Sequence, residues 1–177
     1  MRRPPVFRWI RNVPLLRTLA EVAAGLLASR QPVGATAVIV GPDGLVLVAL
    51  HRTRPSAPWG LPGGWLHRGE LPEDGVLREV AEELDVPVTL ERYLCSYAHW
   101  NGRFRPRGLS LAFRLRSTAP PGTQVTPRSW EIAVTRWVTG AQATAMLAPD
   151  EARAVRLALG SPPAPAEPLE TPERDRT

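Results

Sequence analysis

Between residues 60 and 86 the chain reads GLPGGWLHRGELPEDGVLREVAEELDV, and three of its acids, Glu79, Glu82 and Glu83, fall within one and a half helical turns beside Arg78. Carboxylates so placed repel one another by several tenths of a kcal/mol per i,i+4 pair even when exposed, and a single arginine offsets only part of that. A hard divalent cation with oxygen ligands would offset the rest, since Mg²⁺ commonly takes a few carboxylates together with waters and phosphate oxygens. The competing reading is a solvated amphipathic helix, for which acid-rich faces are common.

At about 100° per residue, a helix over residues 73–84 sorts its side chains into two arcs. Val76, Leu77, Val80, Ala81 and Leu84 form a core face; Gly75, Arg78, Glu79, Glu82 and Glu83 form an acid face. Pro72 stands where a first helical residue is tolerated, although Leu71 before it is a poor N-cap. Gly75 costs about 1 kcal/mol of helix propensity relative to Ala, which implies that something approaches the helix closely there.

Reading on from Gly64, five residues lead to Glu70 and seven more to Arg78-Glu79-Val80-Ala81-Glu82-Glu83-Leu84-Asp85-Val86. This resembles the Nudix box, G-x5-E-x7-R-E-U-x-E-E-x-G-U with U aliphatic, at every fixed position but one. Asp85 stands where Gly is expected, at the helix C-cap, a place where a left-handed residue commonly ends the helix; Asp is among the few other residues that visit that conformation. The segment WGLPGGW, Trp59 to Trp65, is similar to the family's W-x-L-P-G-G lead into the box. Two smaller departures are His67, where many members carry an acid, and Gly75, where Ala is usual.

The resemblance implies an enzyme that hydrolyses a nucleoside diphosphate linked to another moiety, using Mg²⁺ or Mn²⁺ and a water that attacks phosphorus. It implies that Glu82 and Glu83 are the principal metal ligands, that Glu79 is a further ligand or the general base, and that the Gly63 carbonyl completes the metal shell. It gives Arg78 the task of orienting the glutamates and Glu70 that of anchoring the loop to the helix. Glu131 lies where some members place a catalytic or metal-binding acid on a loop; a surface acid is the equal alternative. The subfamily signs of coenzyme A, NADH and ADP-ribose pyrophosphatases are not recognisable, so the substrate stays open among nucleotide sugars, ADP-ribose-like compounds, dinucleoside polyphosphates and nucleoside triphosphates. The alternative from another class is a non-catalytic module of the same fold that senses a nucleotide; the retained Arg78, Glu79, Glu82 and Glu83 argue against it.

Further candidates for the substrate are Arg52, Arg54 and Arg68, which flank the box and are suited to phosphate, and Trp100 in YAHWNGRFRPRG, where aromatics alternate with Arg103, Arg105 and Arg107. A loop of that kind can stack a base and hold phosphate; exposed arginines and a partly buried hairpin are the plainer readings.

The elements that must position these residues are legible in outline. ATAVIV, GPDG and LVLVAL make two β-rich runs around a turn, hence a hairpin. After the acidic helix come VTLERYLCSYAHW, LSLAFRLRS and EIAVTRWV, three strand-like runs, and residues 140–159 read as helical. Strands, helix, strands and helix in that order predict an α/β fold with a mixed sheet, which the resemblance specifies as an α/β/α sandwich. The expected organisation is a basic helical extension over 1–34, a Nudix hydrolase domain over 35–160 and a Pro-rich disordered tail over 161–177.

Charge and composition narrow the partners. The first 34 residues hold six arginines against Glu21 alone, whereas the central domain is nearly balanced and lacks the clustered basic face of a nucleic-acid binder. No nucleic acid is therefore expected, and the resemblance implies a nucleotide-type small molecule. Cys95, the only cysteine, excludes an intramolecular disulfide and a Cys-rich zinc site, which suits a cytoplasmic setting. Leu15, Leu16, Leu19, Val22, Ala23, Leu26 and Leu27 form a helical stripe that must pack on the domain itself or on a second subunit as a homodimer. A peripheral membrane contact through this basic helix is the remaining alternative.

Overall fold

The computed structural model describes Thr18 and residues 31–54, 57–99 and 108–160. Contacts divide the chain into two units, Met1–Gln31 and Pro32–Thr177. The expected N-terminal helix, apart from the helical Thr18, lies outside the described residues, as do Trp100, its neighbouring arginines and the Pro-rich tail.

Seven strands form one mixed sheet: β1 (Val33–Val40), β2 (Val46–His51), β3 (Trp59–Gly60), β4 (Gly63–Trp65), β5 (Val88–His99), β6 (Gly108–Ser117) and β7 (Ile132–Val138). β1 runs parallel to β6, and the other pairings are antiparallel. Among the described residues of the second unit, three helices complete the fold: α1 (Pro72–Glu83), α2 (Gly140–Met146) and α3 (Pro149–Leu159). The five strand runs and the acidic helix stand where the sequence pattern puts them. β3 and β4, too short to show a period, were not legible in it.

Alternation along β1 and β2 builds two cores. Ala35, Ala37, Ile39, Leu47 and Ala49 pack with Val76, Val80 and Leu84 of the α1 segment; Val38, Val40, Val46 and Val48 pack with Ala143 of α2 and Ala154, Val155 and Ala158 of α3. A strand that buries both faces needs apolar residues at every position, which is why ATAVIV and LVLVAL are continuous apolar runs. Helices therefore cover both faces of the sheet, and the α/β sandwich is observed. The helical stretch after β7 is two helices because Pro149 begins α3 and holds the residue before it extended, Ala148 having ψ 153°.

Two expectations about α1 are corrected. Ala81 is exposed, whereas Gly75 and Glu83 are buried: the helix is rolled so that residues 76, 80 and 83 meet the rest of the domain. The helix also does not end in a left-handed residue, since among the described residues only glycines have positive φ. Leu84 is extended, with φ −134° and ψ 146°, and bridges Pro127, while the Asp85 amide donates to the Thr126 carbonyl at 3.2 Å. With the chain leaving α1 as an extended pairing partner, no glycine is required, and Asp85 instead accepts a hydrogen bond from Arg128 at 2.7 Å.

The two hairpin strands pair with each other only at Val40 and Val46. Further along, β1 pairs with β4 and β2 with β3, so the GLPGG segment is wedged between diverging strands, and the Ala37 amide donates to the Pro62 carbonyl at 2.8 Å. Gly63 makes this wedge possible. Its φ is +139°, and a Cβ there would strike the Ala35 carbonyl oxygen and approach the Thr36 Cα to 2.8 Å. Gly63→Ala is expected to destabilise the fold by about 2 kcal/mol or more, read as a lowered melting temperature; an unchanged transition would contradict the wedge.

Candidate functional site

The acid face of α1 meets the wedge, and Arg78 is the hub of the meeting. Its Nε donates to Glu70 Oε1 at 2.7 Å and its Nη2 to Glu70 Oε2 at 3.0 Å, a two-point grip; Nη2 also donates to the Trp65 carbonyl at 3.1 Å. Its Nη1 donates to Glu79 at 2.9 Å and Glu82 at 3.2 Å. Glu70 in turn accepts the His67 amide at 2.7 Å, closing the loop onto the helix.

Glycine lets the two surfaces approach. A Cβ on Gly64 would lie 2.5–2.6 Å from the Glu79 carboxylate, so a larger residue there would push that side chain aside. At Gly75 the close neighbour inferred from helix propensity is Leu66: its Cδ2 occupies the place where a Cβ would go, with the Glu70 carboxylate 3.3 Å away. Gly75 therefore serves packing of the loop against α1.

The carboxylates differ in environment. Hydrogen bonds from Arg78 and then from the His67 amide hold Glu70 down to about 2, and the same contacts raise Arg78 above its ordinary value. Burial raises Glu79 despite Arg78 beside it. Glu83 is pushed up to about 7, chiefly by burial and further by the charges of Glu79 and Glu131, against the hydrogen bond it accepts from the Gly63 amide, which is 2.9 Å long. Glu82 has a largely exposed side chain.

Gly63, Glu79, Glu82, Glu83 and Glu131 line one cleft of about 570 Å³. The structure thus brings Glu131, 48 residues beyond Glu83 in sequence, to the same opening as the helix acids. Among the described residues, no three carboxylate, imidazole or thiol groups stand together as a ready cation cage: Glu79 and Glu82 are turned onto Arg78, and Glu83 onto the Gly63 amide. The donor set is all oxygen and carries more negative charge than Arg78 balances, which fits a hard divalent cation such as Mg²⁺ or Mn²⁺ and not a thiol- or imidazole-seeking metal.

The flanking arginines separate. Arg54 lines a neighbouring cavity, and its Nη1 pairs with Glu151 Oε1 of α3 at 2.9 Å. Arg52 and Arg68 are exposed and do not line the acid cleft. Arg52 reaches the site only through its backbone, which donates to the Glu131 carbonyl at 2.8 Å and so fixes the loop carrying that acid.

Sequence reasoning missed Thr36, His51, Ser110 and Glu151. Thr36, His51 and Ser110 line a second cavity, of about 120 Å³, which shares Gly63, Gly64, Trp65 and Glu131 with the cleft. The pairing of β2 with β7 shifts register between Leu50 and His51, where β7 carries one extra residue, Ala133, and bulges of this kind are common beside functional sites. Glu151 reads in sequence as an acid in a helix's first turn, favourable there for the helix dipole alone.

Residues 30–158 match the model of the NUDIX domain family. The chain is 32% identical over 126 residues to a MutT-like protein of Streptomyces ambofaciens, covering 71% of this chain and 73% of that one. It is 30% identical over 80 residues to an RNA pyrophosphohydrolase of Zymomonas mobilis, 45% of this chain, and spans only about half, 52%, of that relative. Among solved structures it resembles a MutT NUDIX hydrolase from Burkholderia pseudomallei, with TM-score 0.57, 25% identity and 73% and 98% of the two chains covered. It also shares the fold of the NUDIX domain of Shewanella oneidensis NrtR, complexed with ADP ribose, with TM-score 0.61, 24% identity and 78% and 95% covered.

The buried acid has a thermodynamic signature. Glu83, raised to about 7 from the usual 4.5, keeps its proton where the unfolded chain has lost it. Folded protein then binds more protons than unfolded, so this group's contribution to stability falls as pH rises from about 4.5 to about 7. His51, lowered by burial and then by the charge of Arg54 from 6.5 to about 4, acts with the opposite sign over much of that window and flattens the wild-type curve. Comparing variants removes it: in metal-free protein the melting temperature of Glu83→Gln should gain on wild type as pH is raised from about 5 to about 7, by up to about 2–3 kcal/mol in stability. A gap that does not change with pH would show that Glu83 is an ordinary exposed acid.

Proposed function

The chain belongs to the NUDIX family, and from that premise we propose that it is a divalent-metal-dependent pyrophosphohydrolase acting on a nucleoside diphosphate linked to another moiety. The observation that carries the reading is the cleft itself: Glu79, Glu82, Glu83 and Glu131 converge on one opening with Arg78 as the cation gripping two of them. Four acids facing a polyanion need a bridging cation, whatever follows binding. The MutT-like and RNA pyrophosphohydrolase relatives support the same class of chemistry.

In this reading Glu82, Glu83 and Glu79, with the Gly63 carbonyl, hold Mg²⁺ or Mn²⁺. The bound ion supplies charge neutralisation at the phosphate oxygens and acidifies water. Arg78 does not touch substrate; with its donors committed to Glu70, Glu79, Glu82 and the Trp65 carbonyl, it is a positioning residue that keeps the acids on one side of the cleft. Glu70, held ionised by that grip, fixes the loop. Glu131, on the loop side of the cleft, would accept a proton from the attacking water, or Glu79 would do so where it does not ligate the metal. The nucleotide-type ligand is inferred for this chain from the chemistry of the cleft and the family; among the described residues no helix is long and apolar enough to cross a membrane.

Glu82→Gln tests the assignment with least risk to the fold, because exposed substitutions usually change stability by no more than about 0.5 kcal/mol. Monophosphate release from a panel of nucleoside diphosphate derivatives, measured with Mg²⁺ or Mn²⁺, should drop by at least about 100-fold, the scale on which loss of one electrostatic stabiliser acts, while the melting temperature is kept. Near-normal turnover in the variant would remove Glu82 from the metal shell. If wild type binds nucleotides yet cleaves none of the panel, the sensing module replaces the hydrolase.

A further inference from the structure

Two buried acceptors have no hydrogen-bond partner among the described residues: His51 Nε2 and Glu151 Oε2, in side chains belonging to residues 5% and 4% exposed. The Leu61 backbone engages the His51 ring, which leaves Nε2 as the free nitrogen. Buried acceptors are ordinarily satisfied, and those that are not call for an explanation. Both of these face space. His51 lines the cavity of about 120 Å³ that adjoins the acid cleft; Glu151 lines a further one of about 150 Å³, walled also by Trp59 and Tyr97. Arg54 is common to both cavities, so the three spaces follow one another from the acids past His51 to Glu151. A void of this size takes a six-membered ring.

The chemistry of the far cavity is directional. Arg54 Nη1 holds Glu151 Oε1 at 2.9 Å, which sets a guanidinium, a group that only donates, beside the free carboxylate oxygen, which when ionised only accepts. A ligand edge that answers both needs an N–H next to an acceptor. Because a hydrogen bond from a charged guanidinium is strongest to an oxygen, a carbonyl suits it better than a ring nitrogen. Trp59, itself under the Arg136 guanidinium at 5.2 Å from the ring centroid, offers an aromatic wall for a planar ring.

We propose that His51, Arg54 and Glu151 form the subsite that selects the nucleoside, taking a base with an N–H beside a carbonyl, as in guanine or uracil, in preference to the amino edges of adenine and cytosine. The base N–H donates to Glu151 Oε2 and its carbonyl accepts from Arg54, while a sugar hydroxyl nearer the phosphates donates to His51 Nε2. This rests on the pyrophosphohydrolase reading for what occupies the acid cleft.

The test is equilibrium binding of GMP, UMP, AMP and CMP to the full chain, beside hydrolysis of the four triphosphates. GMP and UMP should bind at least about tenfold more tightly than AMP and CMP, the kind of discrimination that buried polar groups exert against a ligand that leaves them unpaired. Glu151→Gln, which puts a donor where the free acceptor stood, should erase most of that preference. On unaltered protein, N1-methyl-GMP and N3-methyl-UMP should lose the advantage of their parents, a comparison that holds even if the variant folds poorly. Equal binding of all four monophosphates, or methylated bases that bind as well as their parents, would overturn the subsite. The two readings fail separately: a base preference without hydrolysis of any nucleoside diphosphate derivative in the panel sinks the enzyme, and hydrolysis of all four triphosphates with equal kcat/KM sinks the selection.

Discussion

Arg78 is the contact on which the site depends. Isolated surface ion pairs contribute little, but this guanidinium is part-buried and makes five hydrogen bonds to three carboxylates and one carbonyl. It joins Glu70 and the Trp65 carbonyl, which belong to the segment linking β4 to α1, to Glu79 and Glu82 on α1 itself. Removing it would do more than lose a charge: like-charged carboxylates would face one another across the cleft, and the loop would lose its two-point attachment to the helix. The same network explains why the acids can be collected at all before any cation is present.

Glu83 shows the opposite strategy. It lies on the buried side of α1 with only the Gly63 amide as its neutral donor, and burial with neighbouring acids lifts its pKa to about 7. A carboxyl so placed costs stability when ionised in the free protein, and a bound cation would repay that cost. The wedge between β1 and β2 makes the arrangement possible, because Gly63 contributes both the amide and the conformation that brings it under the helix.

What was legible in the sequence was local. The hairpin followed from ATAVIV and LVLVAL around a turn, and the acid helix from its 3.6-residue period; the box showed in fixed spacings over a single segment. What escaped was set by contacts between distant segments. Ala81 and Glu83 exchange their expected burial because the roll of α1 is fixed by its packing on the sheet, which a helical wheel does not contain. Asp85 needs no left-handed backbone because residues 126–128 come to pair with the chain leaving the helix. The pairing of Arg54 with Glu151, 97 residues further on, has no mark in the local pattern. Convergence of Glu131 on Glu83 is of the same kind.

The sheet also divides the chemistry. Along β1, Ala35 and Ala37 face α1, while Gly34 and Thr36 line the cavity on the other face with Ser110 of β6, and Tyr97 donates to Thr36 at 3.2 Å. That cavity presents mixed donors and acceptors, and it shares Gly63, Gly64, Trp65 and Glu131 with the acid cleft. Because adjacent residues of β1 point to opposite faces, a change at Thr36 can alter one cavity without disturbing the acids, whereas a change at Gly63 or Gly64, common to both, disturbs the two together. In the proposed reading, selection of the ligand and its chemistry therefore meet at these shared residues and part only beyond them.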